Sequence, residues 1–133
     1  VRLAASWLTF SVRPFQVPAA PGLGLQVFTI VSRFPIGASI ERTDPRWGDA
    51  ITLLALTNGW PVATYRSLAE RALYQAGKLE RLAADDPRLL LVRSRGDLES
   101  LVRRHREDPA VVGALLGIEG AHALDGDLAN LDR

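Results

Sequence analysis

The pattern of apolar and polar residues along the chain predicts strands that alternate with helices. Residues 22–32, GLGLQVFTIVS, are rich in β-branched and aromatic residues, have two apolar faces and lie between turn formers, which predicts a buried strand. Residues 89–92 predict a short apolar strand, and residues 111–118 form an almost uninterrupted apolar run without a charge. Apolar runs of this kind are typical of strands in a parallel sheet that is covered on both faces.

The segments between these strands predict helices. Residues 49–58 form a short apolar helix that Gly59 ends. In residues 64–84, apolar positions recur at three- and four-residue steps, Thr64 is a suitable N-cap, and charged residues, including Arg71 and Lys78, form a solvated face.

Another helix opens at a capping box, in which Asp97 follows Ser94 by three residues. After the last strand, residues 125–133 predict the start of a further helix, with leucines on one face. The order of elements predicts an α/β fold with a parallel sheet.

Residues 33–48, with two prolines and two glycines, form a long loop at a strand end, the usual place for a functional loop. The prolines of residues 1–21 predict an irregular N-terminal arm, so the chain divides into this arm and residues 22–133.

Composition limits the classes of function. The chain has 133 residues, 47% of them hydrophobic and 23% charged, which suits one globular domain or a piece of a larger one. A net charge of +1 gives no electrostatic case for a nucleic-acid partner. Without cysteine, a metal site would need oxygen or imidazole ligands, and the histidines are only His105 and His122.

No apolar stretch is long enough to span a membrane, and no signal peptide is visible. The default expectation is therefore a cytoplasmic protein, although the compartment stays open. Both ends of the sequence look cut, because the chain starts without methionine and stops within an expected helix.

Glu119 is the candidate functional residue. It follows the apolar run 111–118, between Gly117 and Gly120, at the strand end where α/β folds collect ligands and catalytic groups. The alternative is structural: Glu119 caps the next helix or forms a buried ion pair with an arginine. His122, three residues later, is expected to make a structural hydrogen bond, because Gly120 argues against a helix that would align the two side chains. His105, in a charged helix end, is expected at the surface.

Residues 113–133, GALLGIEGAHALDGDLANLDR, resemble a segment of the membrane dipeptidase family, the zinc metallopeptidases that include renal dipeptidase. The resemblance extends upstream through LGLQVFTIVS, ERALYQAGKLERLA and LLLVRSRGDLESLV, and so covers most of residues 22–133. It implies a TIM-type (β/α)₈ barrel, of which this chain would hold roughly the first three βα units.

The resemblance also implies a site with two zinc ions that hydrolyses dipeptides, in which Glu119 would be the carboxylate that bridges the metals. The family's other ligands come from a His-x-Asp pair on the first barrel strand and from histidines on later strands. No His-x-Asp occurs in this chain, and Glu119 is the only expected ligand present. We therefore expect an N-terminal part of a dipeptidase-like hydrolase that is inactive as an isolated chain. The alternative is a short non-catalytic α/β module that associates with another chain, and a homo-oligomer also remains open.

Overall fold

The computed structural model describes residues 2–7, 22–39, 41–42, 44 and 46–133, and only the backbone of residues 2–7. In this part of the chain the strands are β1 (Arg2–Trp7), β2 (Leu23–Val31), β3 (Leu89–Leu91) and β4 (Val112–Glu119). The α-helices are α1 (Ala50–Thr57), α2 (Ala63–Arg66), α3 (Leu68–Asp85) and α4 (Arg95–Glu107). Two short 3₁₀ helices, Ala121–Leu124 and Leu128–Asp132, follow β4.

The strands form a single parallel sheet in the order β1-β2-β4-β3. β4 pairs with β2 from Gly113 to Glu119. On its other side β4 pairs with β3 only over Val112–Ala114. The longer strands β1, β2 and β4 are thus spatial neighbours, and β3, which lies between β2 and β4 in the chain, is a short edge strand beside the N-terminal part of β4. The expected mixed α/β fold with a parallel sheet is confirmed.

Helices α3 and α4 lie on opposite faces of this sheet. The long apolar stripe of α3 packs against side chains of β2 and β4 in the main core, whose buried members are Leu23, Phe28, Ile30, Ala72, Leu79, Leu89, Val112, Ala114 and Ala123. Successive strand residues face opposite sides, so Gly113 faces away from α3. There Leu101 of α4 comes so close that a Cβ on Gly113 would lie 2.3 Å from its Cδ2 atom. Glycine at 113 is what allows α4 to pack this tightly.

Most of the predicted elements are confirmed. β2, β3 and β4 lie within the predicted segments to within a residue, and α1 and its end at Gly59 (φ 61°) match the prediction. The capping box is also correct, because the Ser94 hydroxyl oxygen accepts from the Asp97 N–H and the Asp97 carboxylate accepts from the Arg93 N–H.

The helix predicted over residues 64–84 is in fact two helices. Ser67 has extended backbone (φ −131°, ψ 127°) and caps α3, its hydroxyl oxygen accepting from the Glu70 N–H at 3.0 Å. Thr64 is not an N-cap: it is buried within α2 and its hydroxyl donates to the Pro61 carbonyl at 2.7 Å. The apolar periodicity continues through the break because both segments cover the same core.

The helix predicted after residue 125 was also wrong. That segment forms the second 3₁₀ helix, and its residues Leu128 and Leu131 are 74% and 68% exposed. Without a buried face the segment gains too little apolar contact to favour an α-helix.

Residues 2–7 of the predicted irregular arm form β1, since pairing with β2 supplies the backbone hydrogen bonds that the local sequence does not specify. Residues 8–21 of that arm lie outside the described residues. Among the helices described, none combines the length and the apolar character needed to cross a bilayer.

Candidate functional site

Glu119 is the last residue of β4, at the carboxyl end of the parallel sheet. It pairs with Val31, the last residue of β2, so the ends of these two neighbouring strands coincide. Gly120 has a φ of 76°, a value that favours glycine, and turns the chain into the first 3₁₀ helix. The Glu119 side chain is exposed, and no hydrogen bond or ion pair to it is found in the described part of the chain. A carboxylate in this position can accept a ligand without first breaking an internal contact.

Neither structural role considered for Glu119 is found: Asp127 caps the segment after residue 125, its carboxylate accepting from the Ala129 N–H at 2.9 Å, and Glu119 forms no ion pair in the described part of the chain. A different acid, Asp125, stabilises α3. The Asp125 carboxylate accepts from the Ser67 hydroxyl at 2.6 Å and from the Ala69 N–H at 3.1 Å, at the N-terminus of α3. Burial raises the pKa of Asp125, but these hydrogen bonds outweigh it and hold the pKa below its usual range. Asp125 has a φ of 51°, a left-handed conformation that aspartate tolerates better than most residues.

The histidines do not join Glu119. His122 lies exposed in the first 3₁₀ helix, and within the described residues its ring makes no hydrogen bond, so the expected structural bond is not found. His105 was expected at the surface but is partly buried, with Nδ1 lying 2.7 Å from the Val111 carbonyl oxygen. Among the residues that the structure describes, no three His, Cys, Asp or Glu side chains come together in a group that could hold a metal.

A second charged cluster lies beside the carboxyl end of β2 and consists of Arg71 and Asp49. The Arg71 guanidinium, only 1% exposed, donates to the Asp49 carboxylate at 2.5 Å and to the Ser32 carbonyl at 2.7 Å. It also donates to the Thr64 carbonyl at 2.9 Å and to the Thr52 hydroxyl at 2.8 Å. Arg71 therefore joins α3 to the end of β2, to α1 and to α2.

Asp49 is the N-cap of α1, and its carboxylate, like the Arg71 guanidinium, makes several hydrogen bonds. Its carboxylate accepts from the N–H groups of Phe34 and Ile51 at 2.9 and 3.1 Å and from the Thr52 hydroxyl at 2.8 Å. Burial raises the pKa of Asp49, but these bonds and the Arg71 guanidinium hold it below its usual range. This cluster, called the Arg71–Asp49 cluster below, fixes both ends of the long loop 33–48.

The sequence prediction placed Arg71 and Lys78 on a solvated face, and this was wrong for both. Arg71 is buried, and Lys78 Nζ lies 4.0 Å from the centre of the Trp60 ring and 4.9 Å from that of Tyr74. A signal was present: Arg71 and Gln75 are four residues apart and border the apolar stripe of α3, and both are buried. Trp60 is itself a packing residue and is only 4% exposed.

The described part of loop 33–48 is largely exposed to solvent. Glu41 and Arg42 are exposed, and Asp44 binds the neighbouring Arg46, whose guanidinium lowers the Asp44 pKa. Arg42 and Trp47 line a shallow depression of about 450 Å³ in this loop.

No protein-family model, curated protein or solved structure matches the chain. The likeness to the membrane dipeptidases therefore depends on the sequence motifs alone. The α/β fold depends on the sheet and helices described above.

Proposed function

We propose that this chain is the N-terminal part of a membrane-dipeptidase-like hydrolase. Its complete form would be a (β/α)₈ barrel that cleaves dipeptides with two zinc ions, and Glu119 would be the ligand that these residues contribute. The observation that carries the proposal is the position of Glu119: an exposed carboxylate with no internal partner among the described residues, at the carboxyl end of a strand in the middle of a parallel sheet. Barrel enzymes place their catalytic groups at that end.

The direction of the strands supports the barrel part of the proposal, and their order is a feature that a barrel does not explain. The pairs β1–β2 and β2–β4 are parallel, as barrel strands are, but β3 follows β2 in the chain and lies beyond β4 in the sheet. The outer edge of β4 beyond Ala114 pairs with no strand in the described part of the chain, so a following strand could bind there. Helix α4 packs near Gly113 on the face of β4 that also carries Glu119. A barrel would therefore have to accommodate α4 on that face.

The described residues do not fit a pair of zinc ions by themselves. Two zinc ions need several nitrogen and oxygen ligands, and among the described residues no three His, Cys, Asp or Glu side chains come together in a group that could hold a metal. We therefore assign no catalytic step to this chain. The remaining ligands would have to come from outside these 133 residues.

A second candidate is a non-catalytic α/β module that associates with another chain. The observation in its favour is the exposure of apolar residues near the end of β4, where Leu115, Leu116 and Ile118 are 39%, 39% and 52% exposed. Both candidates need a partner segment to cover this strand. They differ in whether that segment carries metal ligands.

The test begins with the coding DNA on both sides of the 133 codons. If the frame continues, the longer protein is expressed, alone and with Glu119→Gln, and its hydrolysis of dipeptides is measured with zinc and with a chelator. We expect zinc-dependent turnover, and a loss on Glu119→Gln larger than the roughly 10- to 100-fold that removal of an outer-shell partner costs. Glu107→Gln, at another exposed glutamate, is the matched control and should keep full activity.

Two results would contradict the proposal. Chelator-sensitive turnover by the 133-residue chain alone would show that the account of the missing ligands is wrong. A frame closed on both sides, together with a soluble and inactive chain, would favour the non-catalytic module.

A further inference from the structure

Loop 33–48 follows β2 at the carboxyl end of the sheet and forms a depression of about 450 Å³. The loop depression, as it is called below, is lined by Ile36, Gly37, Ser39, Arg42 and Trp47. Its volume falls within the range of about 300–1,000 Å³ that small-molecule sites occupy. Loops that follow parallel strands are where α/β proteins bind small ligands, so the depression lies where a ligand site is expected.

Hydrogen bonds fix the backbone around the depression. At the base of the loop the Ile36 N–H donates to the Gly48 carbonyl at 2.7 Å. The Ala38 N–H closes a turn on the Pro35 carbonyl at 3.1 Å. Within that turn Gly37 has a φ of 81°, a conformation that favours glycine. Since the Arg71–Asp49 cluster holds both ends of the loop, the chain itself sets the shape of the depression, which lowers the entropy cost of binding.

Two hydrogen-bond donors of the depression have no acceptor in the described part of the chain. They are the Arg42 guanidinium, which is exposed, and the Ser39 hydroxyl. The Ser39 hydroxyl oxygen accepts from the Arg42 N–H at 3.2 Å, and the two residues also exchange backbone hydrogen bonds, so their side chains leave a fixed turn. Arg46 of the same loop instead binds Asp44 at 2.6 Å. Arg42 is therefore the arginine that is available to an anion.

The lining of the depression indicates which anion fits. Among the described residues that line it, Arg42 alone is charged, which matches one negative charge but not the charge of about −1.5 to −2 on a phosphate monoester. A guanidinium also binds a carboxylate through two parallel hydrogen bonds. Ile36 and the indole of Trp47 are apolar, and an apolar group that covers them removes their surface from water.

We propose that the loop depression binds small monocarboxylates that carry an apolar group. The carboxylate accepts from the Arg42 guanidinium and the Ser39 hydroxyl, and the apolar group lies against Ile36 and Trp47. Such binding is independent of the proposed hydrolase, because these 133 residues supply every contact and neither Glu119 nor zinc takes part.

Titration with phenylacetate tests the site. Binding is followed by calorimetry and by tryptophan fluorescence, and the dissociation constant should lie in the millimolar range, as suits so small a ligand. Phenylacetamide has nearly the same shape without the charge. It should bind about 10-fold more weakly or worse, because it cannot form the charge-assisted hydrogen bonds to Arg42. The chain has three tryptophans, so Trp47→Phe identifies the part of the fluorescence change that comes from residue 47.

Substitution of Arg42 locates the binding. Arg42→Gln removes the charge of an exposed side chain and should weaken phenylacetate binding by about 10-fold or more, while phenylacetamide binding stays unchanged. Arg106→Gln, at an exposed arginine of α4, is the matched control for net charge and should bind as the wild type does. Circular dichroism confirms that both variants are folded.

Four results would overturn the proposal. They are the absence of saturable phenylacetate binding, equal binding of phenylacetate and phenylacetamide, an equal loss in the Arg42→Gln and Arg106→Gln variants, and tighter binding of inorganic phosphate than of phenylacetate. The last result would identify a general anion site. None of these measurements involves zinc or Glu119, so each outcome leaves the proposed hydrolase to its own test.

Discussion

Asp49 and Glu119 both lie at the carboxyl end of the sheet, yet their surroundings differ in almost every respect. The Asp49 carboxylate accepts hydrogen bonds from two backbone N–H groups, a hydroxyl and the buried Arg71 guanidinium. The Glu119 carboxylate is exposed and has no partner among the described residues. The charge of Asp49 is stabilised by hydrogen bonds within the protein, and the charge of Glu119 by contact with water.

The two carboxylates at this end of the sheet therefore differ in role: Asp49 stabilises the fold, and Glu119 is available for function. A buried charge is tolerated only when it is paired and hydrogen-bonded, so the Arg71–Asp49 cluster is committed to holding β2, α1, α2 and α3 together. An exposed carboxylate holds nothing together and remains available to a ligand. The comparison thus predicts large stability effects at the cluster and none at Glu119.

The largest effect is expected from Arg71→Met. Methionine fills much of the volume but removes the cation paired with the Asp49 carboxylate and the donor to the Ser32 and Thr64 carbonyls. We expect the free energy of unfolding to fall by about 3–5 kcal/mol, the range for removing one partner of a buried pair. Chemical denaturation measures this. Arg66→Met, at an exposed arginine of α2, is the control, and an equal loss there would show that burial of Arg71 is not the cause.

Asp125→Ala should have an intermediate and pH-dependent effect. It removes the acceptor for the Ser67 hydroxyl and the Ala69 N–H, and loss of such a cap costs about 0.5–2 kcal/mol. The native pKa of Asp125 lies below its ordinary value of 3.8, so its stabilisation is full above that pH and is lost as the pH falls through the native pKa.

Thermal unfolding of wild type and Asp125→Ala from neutral pH down to acid should therefore give a difference that narrows below pH 3.8 to the pH-independent strain of alanine at this left-handed position. Asp132→Ala, which removes an exposed carboxylate, controls for net charge. A constant difference across the whole range would rule out the carboxylate as the source.

A smaller effect of opposite sign is expected at Ser32, beside the cluster. Its backbone carbonyl binds Arg71, but its buried hydroxyl has no hydrogen-bond partner in the described part of the chain. Ser32→Ala removes that hydroxyl and keeps the carbonyl, so stability should be unchanged or rise by up to about 1 kcal/mol. A marked loss in the denaturation midpoint would reveal a partner for the hydroxyl.

The smallest effect is expected from Glu119→Gln. Because the carboxylate is exposed and bonds to none of the residues that the structure describes, the free energy of unfolding should change by less than about 0.5 kcal/mol. Denaturation of this variant beside Arg71→Met tests the comparison directly. A loss above about 1 kcal/mol would mean that Glu119 has a structural role.

The secondary structure was largely readable from the sequence, and the Arg71–Asp49 cluster was not. Apolar runs located β2 and β4, and the Ser94 capping box located α4, because these signals are local. Ser67 divides the predicted long helix because its hydroxyl caps α3 and its backbone is extended. The apolar periodicity does not reveal such a break. Arg71 was misplaced because its partners lie 7 to 39 residues away in the chain.

The sequence by itself determined the α/β class, the position of Glu119 at a strand end and the absence of a cysteine or His-x-Asp ligand set. These properties depend on residue identity and on periodicity along a few turns or strand repeats. The tertiary structure decided which charges are buried, that Asp125 binds Ser67 at the N-terminus of α3, and that β3 leaves the edge of β4 open. Each of these features depends on which distant segments of the chain pack together. Burial and hydrogen bonding follow from that packing and cannot be read from a local stretch of sequence.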